Sequence, residues 1–360
     1  MQVSGMGRAA AALLLLLAPP LALAARDIAV LLPQSGRMSK AAEAIRDGLM
    51  AAYYQDSAAA ADSPVLHFYD SDSLPPAALV QQARAAGAEF IIGPLDRERV
   101  DALVKAGPLP LPVLALNSVP GRADNLVEFA LAPEDEVNRL VAWMAEQGVR
   151  RPLLLAASDE ASQRQLRLFQ AAWQAGHPVA PAVFTLDPAR KGGITAAVKE
   201  LLAGAGARAD ALFLASATLA QQVQPALKYF HSRLPLYSLS AAWEPGADAS
   251  GVNDLEGLRF CDLPWMLEPA RPEQEALYAA QPRPAAGYDR LYAFGADAWT
   301  LARSWTALVD GEPLSLRTGL LRRDADHALQ RQPTCAEVRN GSAIPVWSPA
   351  PAANPHGGGR

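Results

Sequence analysis

Cysteine is nearly absent from this chain: Cys261 and Cys335 are the only two among 360 residues. That excludes a disulfide-rich framework and leaves either one bridge or two separate buried thiols. Spacing alone does not choose between them, because it says nothing about Cα separation. Histidine is scarce too. His67, His177, His231, His327 and His356 are scattered, with no pair at metal-ligand spacing, so no metal site is expected. Positive charge is not in excess: the net charge is -5 and the pI about 5.6, which argues against a nucleic-acid partner. The sequence also lacks a G-x-S-x-G elbow, a Walker loop and a G-x-G-x-x-G after a strand. Gly204 and Gly206 come nearest to a glycine-rich loop, but they mark a helix stop. No cofactor is expected. Asp70 and Asp72 flank a strand end, and Glu134 to Glu136 read as a solvated helix start; neither group makes acid–base machinery. An enzyme is not expected, and no short-period repeat is visible.

What is present is a large apolar complement. Hydrophobic residues make up 51% and charged residues 19%, enough for a sizeable core in about two domains. Residues 1–24 read as a cleavable signal peptide. Arg8 supplies the positive start, Ala9 to Ala18 the apolar run, and Ala22-Leu23-Ala24 the small-x-small cleavage pattern. The run is too short to span a membrane well. No cysteine stands near the cleavage point, so the expectation is a soluble periplasmic protein without a lipid attachment site.

From Ile28 onward, short apolar strands alternate with helices. Ile28 to Leu32, Val65 to Tyr69, Phe90 to Ile92 and Val113 to Leu116 are separated by helical stretches, and Leu126 to Leu131 adds a strand. Such a βαβα alternation predicts a parallel sheet covered by helices on both faces. The pattern restarts at Pro133, with strands at Leu153 to Ala157, Ala182 to Leu186, Ala211 to Ala215, Leu236 to Leu239 and Leu258 to Asp262. The fold class is therefore α/β, with two doubly wound parallel-sheet lobes. Residues 25–132 form the first lobe, completed by a long helix from about Tyr288 to Val309 within 285–312. The second lobe spans 133–262, and 263–284 cross between them. Residues 313–347 supply closing β structure, with Asn340-Gly341 as a turn, and 348–360 form a disordered tail.

Small polar residues recur where the strands end: Gln34, Ser35, Gly36, Asp70, Gly93 and Asn117 in the first lobe, Ser158, Ser216 and Ser240 in the second. In open parallel sheets, ligands sit just beyond the carboxyl ends of the strands. Two such rims facing each other make an interlobe cleft, and these nine residues are its candidate lining. The same residue types are preferred helix N-caps, so capping alone also explains them.

The strings IAVLLPQSGRMSKAAEAIRDGLMAAYY, FYDSD, IIGPLDRERV, PVLALN, FALAPEDEV, DALFLAS, LEGLRFCDLPW and RLYAFGADAWTLA occur in order from Ile28 to Ala302. Together they resemble the flytrap domain of the LpoA-type penicillin-binding-protein activators. The resemblance runs from about Ile28 to Pro345. It implies a type I periplasmic-binding-protein (Venus-flytrap) fold and a non-catalytic regulator that docks on a class A penicillin-binding protein and stimulates its transpeptidation. No serine is followed three residues later by lysine, and Lys191-Gly192-Gly193 only superficially resembles a K-T-G box. The chain departs from better-known members in having neither a lipobox cysteine nor room for their helical-repeat domain. Where members often carry tryptophan before an FRxG-like stretch, it reads Thr334 to Gly341. Cys335 there tilts the reading towards a Cys261–Cys335 bridge. The alternative function is a solute receptor for an amino acid or similar small polar ligand, with Ser35, Asn117 and Ser216 as contacts.

Overall fold

A computed structural model describes residues 27–59, 63–244, 254–268, 272–323 and 329–349. The signal peptide expected from the sequence lies outside the described residues, as does the expected C-terminal tail beyond Pro349.

The first sheet is built from β1 (Ile28–Leu32), β2 (Leu66–Asp70), β3 (Phe90–Ile92), β4 (Val113–Ala115) and β5 (Leu126–Glu128) in the order β2-β1-β3-β4-β5, all parallel. Every residue of β1 is buried, as befits a central strand covered on both faces. Its alternation sorts the core. Ile28, Val30 and Leu32 face α1 (Ser39–Ala59), whereas Ala29 and Leu31 face α2 (Pro76–Ala85) and α3 (Arg97–Lys105). The strand after Val113 is shorter than the sequence suggests, and β5 stops at Glu128.

The second unit comprises α4 (Pro133–Glu146), β6 (Pro152–Ala156), α5 (Glu160–Gly176), β7 (Ala182–Thr185), α6 (Gly193–Ala203), β8 (Ala211–Leu214), α7 (Ala220–Tyr229), β9 (Leu236–Ser238) and β10 (Arg259–Asp262). After β10 come α8 (Pro264–Leu267), α9 (Pro272–Ala280), α10 (Asp289–Arg303) and α11 (Trp305–Asp310). The helix expected to run unbroken to Val309 is interrupted at Ser304, whose φ of -102° and ψ of 24° leave the α region. α10 packs on α1 and completes the first core with Tyr292, Phe294 and Trp299.

The closing β structure divides in two. β11 (Leu314–Leu316), β12 (Gly319–Arg323) and β13 (Leu329–Gln332) form a small antiparallel sheet, anchored where buried Asp297 of α10 accepts the Thr318 amide at 2.7 Å and the Arg317 guanidinium at 3.0 Å. β14 (Thr334–Arg339) and β15 (Ser342–Trp347) instead extend the second sheet, whose order is β15-β14-β10-β9-β8-β6-β7. Their hairpin turns at Asn340 and Gly341 with φ of 52° and 75°, the left-handed pair such a tight turn needs. Cys261 and Cys335 are direct partners across the antiparallel β10–β14 pair, both buried and joined as a disulfide. The chain passes between the lobes from Phe129 to Pro133, after Asp262, and again between Gln332 and Thr334.

Candidate interlobe cleft and hinge

Because the strands of each doubly wound unit are parallel, all nine residues singled out from the sequence fall at the carboxyl edges of their sheets. Their local contacts differ. Asp70 Oδ1 accepts the amides of Gln34 (3.3 Å) and Asp72 (3.1 Å), closing the turn after β2. Ser35 and Gly36 are exposed, and the Gly36 carbonyl accepts the Ser39 hydroxyl at 2.9 Å as α1 begins. Gly93 is buried at φ 104°, with its α-carbon against the Leu31 carbonyl, so a side chain there would strike the backbone of β1. Asn117 uses both ends of its amide locally: Nδ2 donates to Leu95 O (3.0 Å), and Oδ1 accepts from Ser118 N (2.9 Å).

In the second lobe Ser158 is exposed, and Ser216 is buried with its hydroxyl 3.3 Å from that of Thr218. Ser216 stands at an N-cap position yet makes no capping bond. Capping falls to neighbours of the singled-out residues. Asp96 accepts the Glu98 amide at 2.8 Å, and Asp159 accepts the Ser162 amide at 2.9 Å. The Ser162 hydrogen bonds hold the Asp159 carboxyl below its usual range. A depression of about 550 Å³ beside the first rim is lined by Gln34, Glu43, Arg46 and Phe68, and no residue of the second rim borders it.

Ser240 is different, because it lies in a charged cluster where the two lobes meet. Its amide donates to Glu136 Oε1 at 2.5 Å and its hydroxyl to Glu136 Oε2 at 3.1 Å. Arg290, from α10 of the first lobe, reaches across to Asp262 at the end of β10, with Nη2 at 2.6 Å and Nε at 3.0 Å. The same guanidinium meets Glu244 at 3.1 Å and the carbonyls of Ser240 and Trp243 at 3.4 Å. Arg331 of β13 makes a second link, 3.5 Å from Asp135 and 3.4 Å from the Ala132 carbonyl.

This cluster overturns the reading of Glu134 to Glu136 as a solvated helix start: only Glu134 is exposed, because the crossing segments close over the first turn of α4. Burial, then the nearby Asp262 charge, pushes Glu136 up to about 8. Burial raises Asp135 to about 6 despite Arg331. Asp262 also rises through burial, with Arg290 opposing, while Asp262 raises Arg290 against its own burial. Carboxylates outnumber guanidiniums in this enclosed space, so one acid retains a proton near neutral pH. Sequence reasoning reached Ser240 but missed Glu136, Asp262 and Arg290. Asp262-Leu263-Pro264 at a strand end was the one local signal.

Among the described residues, no group of three His, Cys, Asp or Glu side chains is placed to hold a metal, and no helix is long and apolar enough to cross a membrane. Two parallel-sheet lobes, crossed by the chain three times over a polar hinge, define the type I periplasmic-binding-protein class. Within that class the chain belongs to the LppC family, described as "LppC putative lipoprotein", whose model matches residues 22–341. The penicillin-binding protein activator LpoA of Edwardsiella piscicida is 30% identical over 323 residues, covering 78% of this chain and 46% of that protein. This chain thus spans about half the length of the curated relatives it matches. The C-domain of Haemophilus influenzae LpoA, described as a regulator of PBP1A, superposes with a TM-score of 0.71 at 25% identity, covering 89% of this chain and all of that one. A "putative branched-chain amino acid ABC transporter" from Chromobacterium violaceum gives a TM-score of 0.72 at 30% identity over 87% of this chain and 99% of its own.

Proposed function

We propose that this protein is a non-catalytic regulator of the cell envelope that docks on a class A penicillin-binding protein and stimulates its transpeptidation. The observation that carries the reading is the end-to-end correspondence with the C-domain of a PBP1A regulator, together with relatives named as penicillin-binding protein activators. The rim residues fit a silent cleft: Asp70 and Asn117 spend their polar atoms on their own backbone neighbourhood, and Gly93 serves a close strand contact. We place the protein in the periplasm, exported through residues 1–24.

Pull-down of the protein from Ala25 onward against solubilised envelope of its host tests this reading, followed by transpeptidation assays with the recovered synthase. Recovery of a class A penicillin-binding protein and a faster cross-linking rate support it; no synthase recovered, or an unchanged rate, rejects it. The likeness to the transporter-associated protein favours a second reading, a receptor for an amino acid or similar small polar ligand. A ligand-dependent rise in melting temperature without synthase binding would select that one.

A further inference from the structure

Strands β6 to β10 run parallel, so the loops that lead into them emerge together at the end of the second lobe remote from the cleft. The register sets those loops side by side. Pro152 lies opposite Ala211, Leu212 opposite Leu236, and Arg259 opposite both Tyr237 and Glu337. Arg151, Arg208 and Arg233, in the segments that lead into β6, β8 and β9, and Arg339, at the end of antiparallel β14, therefore share this end of the sheet in a row, with Arg150 beside Arg151. All five are exposed. Among the described residues Arg150, Arg208 and Arg233 enter no ion pair, and Arg151 approaches Asp210 only to 4.0 Å. Of the carboxylates nearby, Asp210 accepts the amides of Arg150 and Arg151 and Glu337 is shared by Arg259 and Arg339, while Asp254 and Glu256 lead into β10 at this same end.

Helix dipoles do not account for this row. Helices α4 to α7 end here, but α4, α5 and α6 carry no basic residue in their last turn; only α7 does, with Lys228. The arginines sit beyond the helix ends. The matching end of the first lobe is mixed in sign: Asp27, Glu89 and Asp124 lead into β1, β3 and β5, while Arg84 and Lys105 sit in the last turns of α2 and α3 and Arg122 lies beside Asp124. Moreover, the two most exposed large hydrophobic side chains among the described residues, Tyr229 at 73% and Val179 at 70%, lie at this same arginine-bearing end.

We propose that this end of the second lobe is a docking surface for a carboxylate-rich face of a protein partner, and, resting on the function proposed above, that this partner is the synthase. Guanidinium forks pair bidentately with carboxylates, and arginine with tyrosine is the combination enriched at protein interfaces. Two isolated apolar side chains are too few to insert into a bilayer. In a chain of net charge -5 such a patch also steers encounter and orientation.

The test measures association of the full chain with the solubilised class A synthase of its host. The triple variant Arg150→Glu, Arg208→Glu, Arg233→Glu is compared with a control of equal charge change on the first lobe, Arg37→Glu, Lys40→Glu, Arg84→Glu. The expected result is an association rate lowered by about tenfold with a flatter salt dependence for the first, and within about twofold of the parent for the second. Unchanged binding by the first variant overturns the surface while the regulator reading stands. Failure of the parent protein to bind the synthase rejects that reading instead, and a hexaglutamate peptide then probes the surface alone. Amide shifts clustered at Arg150, Arg208 and Arg233 sustain it, and shifts absent or elsewhere overturn it. Binding of the parent, lost in the triple variant, to anionic phospholipid vesicles but to neither protein probe replaces the protein partner with a membrane and overturns the proposal.

Discussion

Gly48 and Gly295 oppose one another where α1 crosses α10, each lying against a backbone carbonyl of the other helix. A methyl group on Gly48 would overlap the Tyr292 carbonyl, and one on Gly295 the Ile45 carbonyl. The close crossing brings Trp299 within reach of Asp56, to which its indole donates at 2.6 Å, and sets its ring edge-on to Tyr53. Here an N-terminal helix and a helix some 240 residues later become one layer.

Either Gly48→Ala or Gly295→Ala should therefore destabilise the protein, although alanine is the better helix former. Backbone cannot give way as a flexible side chain does, so the loss should be about 1–3 kcal/mol or more. Thermal unfolding of the two variants measures it. A melting temperature equal to or above that of the parent would show that the crossing has slack.

The hinge cluster predicts a pH dependence of defined sign. Glu136 holds its proton up to about 8 in the folded protein, against 4.5 for the free side chain, and Asp135 up to about 6 against 3.8. Over those windows the folded state binds more protons than the unfolded one, so stability is full at the acid end and falls as pH rises. Denaturant midpoints at pH 5.5, 7 and 8.5 should decline in that order. Glu136→Gln keeps the amide contact with Ser240 without a titrating group and should remove most of the decline; an undiminished slope in that variant would count against the assignment.

The Cys261–Cys335 pair is read by thiol labelling of the denatured, unreduced protein, which should give no signal. Two reactive thiols per chain would refute the bridge. Replacing both cysteines with serine should cost about 2–4 kcal/mol, because the bridge closes a long loop between β10 and β14.

Alanine at Ser35 or at Asn117 should leave synthase stimulation within about twofold of the parent. The same changes should abolish small-ligand binding if the receptor reading is the right one. Loss of stimulation in a folded variant would make the cleft itself the functional site.

The alternating strands and helices were legible because a parallel strand covered on both faces shows as an unbroken apolar run, as Ile28 to Leu32 does. The rim positions were legible for the same reason, since strand ends are where those runs stop. The hinge was not. Glu136, Ser240, Asp262 and Arg290 are far apart along the chain, and an acidic first turn looks the same whether water or a guanidinium faces it. Gly48 and Gly295 read as single mid-helix glycines until the opposing carbonyls are in view.

The sequence by itself determined the α/β class, the succession of two doubly wound units and the family, because apolar periodicity, strand-end punctuation and colinear motifs are local or ordered along the chain. Tertiary structure decided the rest: that the last hairpin joins the second sheet, that Cys261 and Cys335 meet, and that two acids of α4 are enclosed. Each depends on which distant segment packs alongside, and burial, with the charge balance it imposes, exists only once that partner is in place.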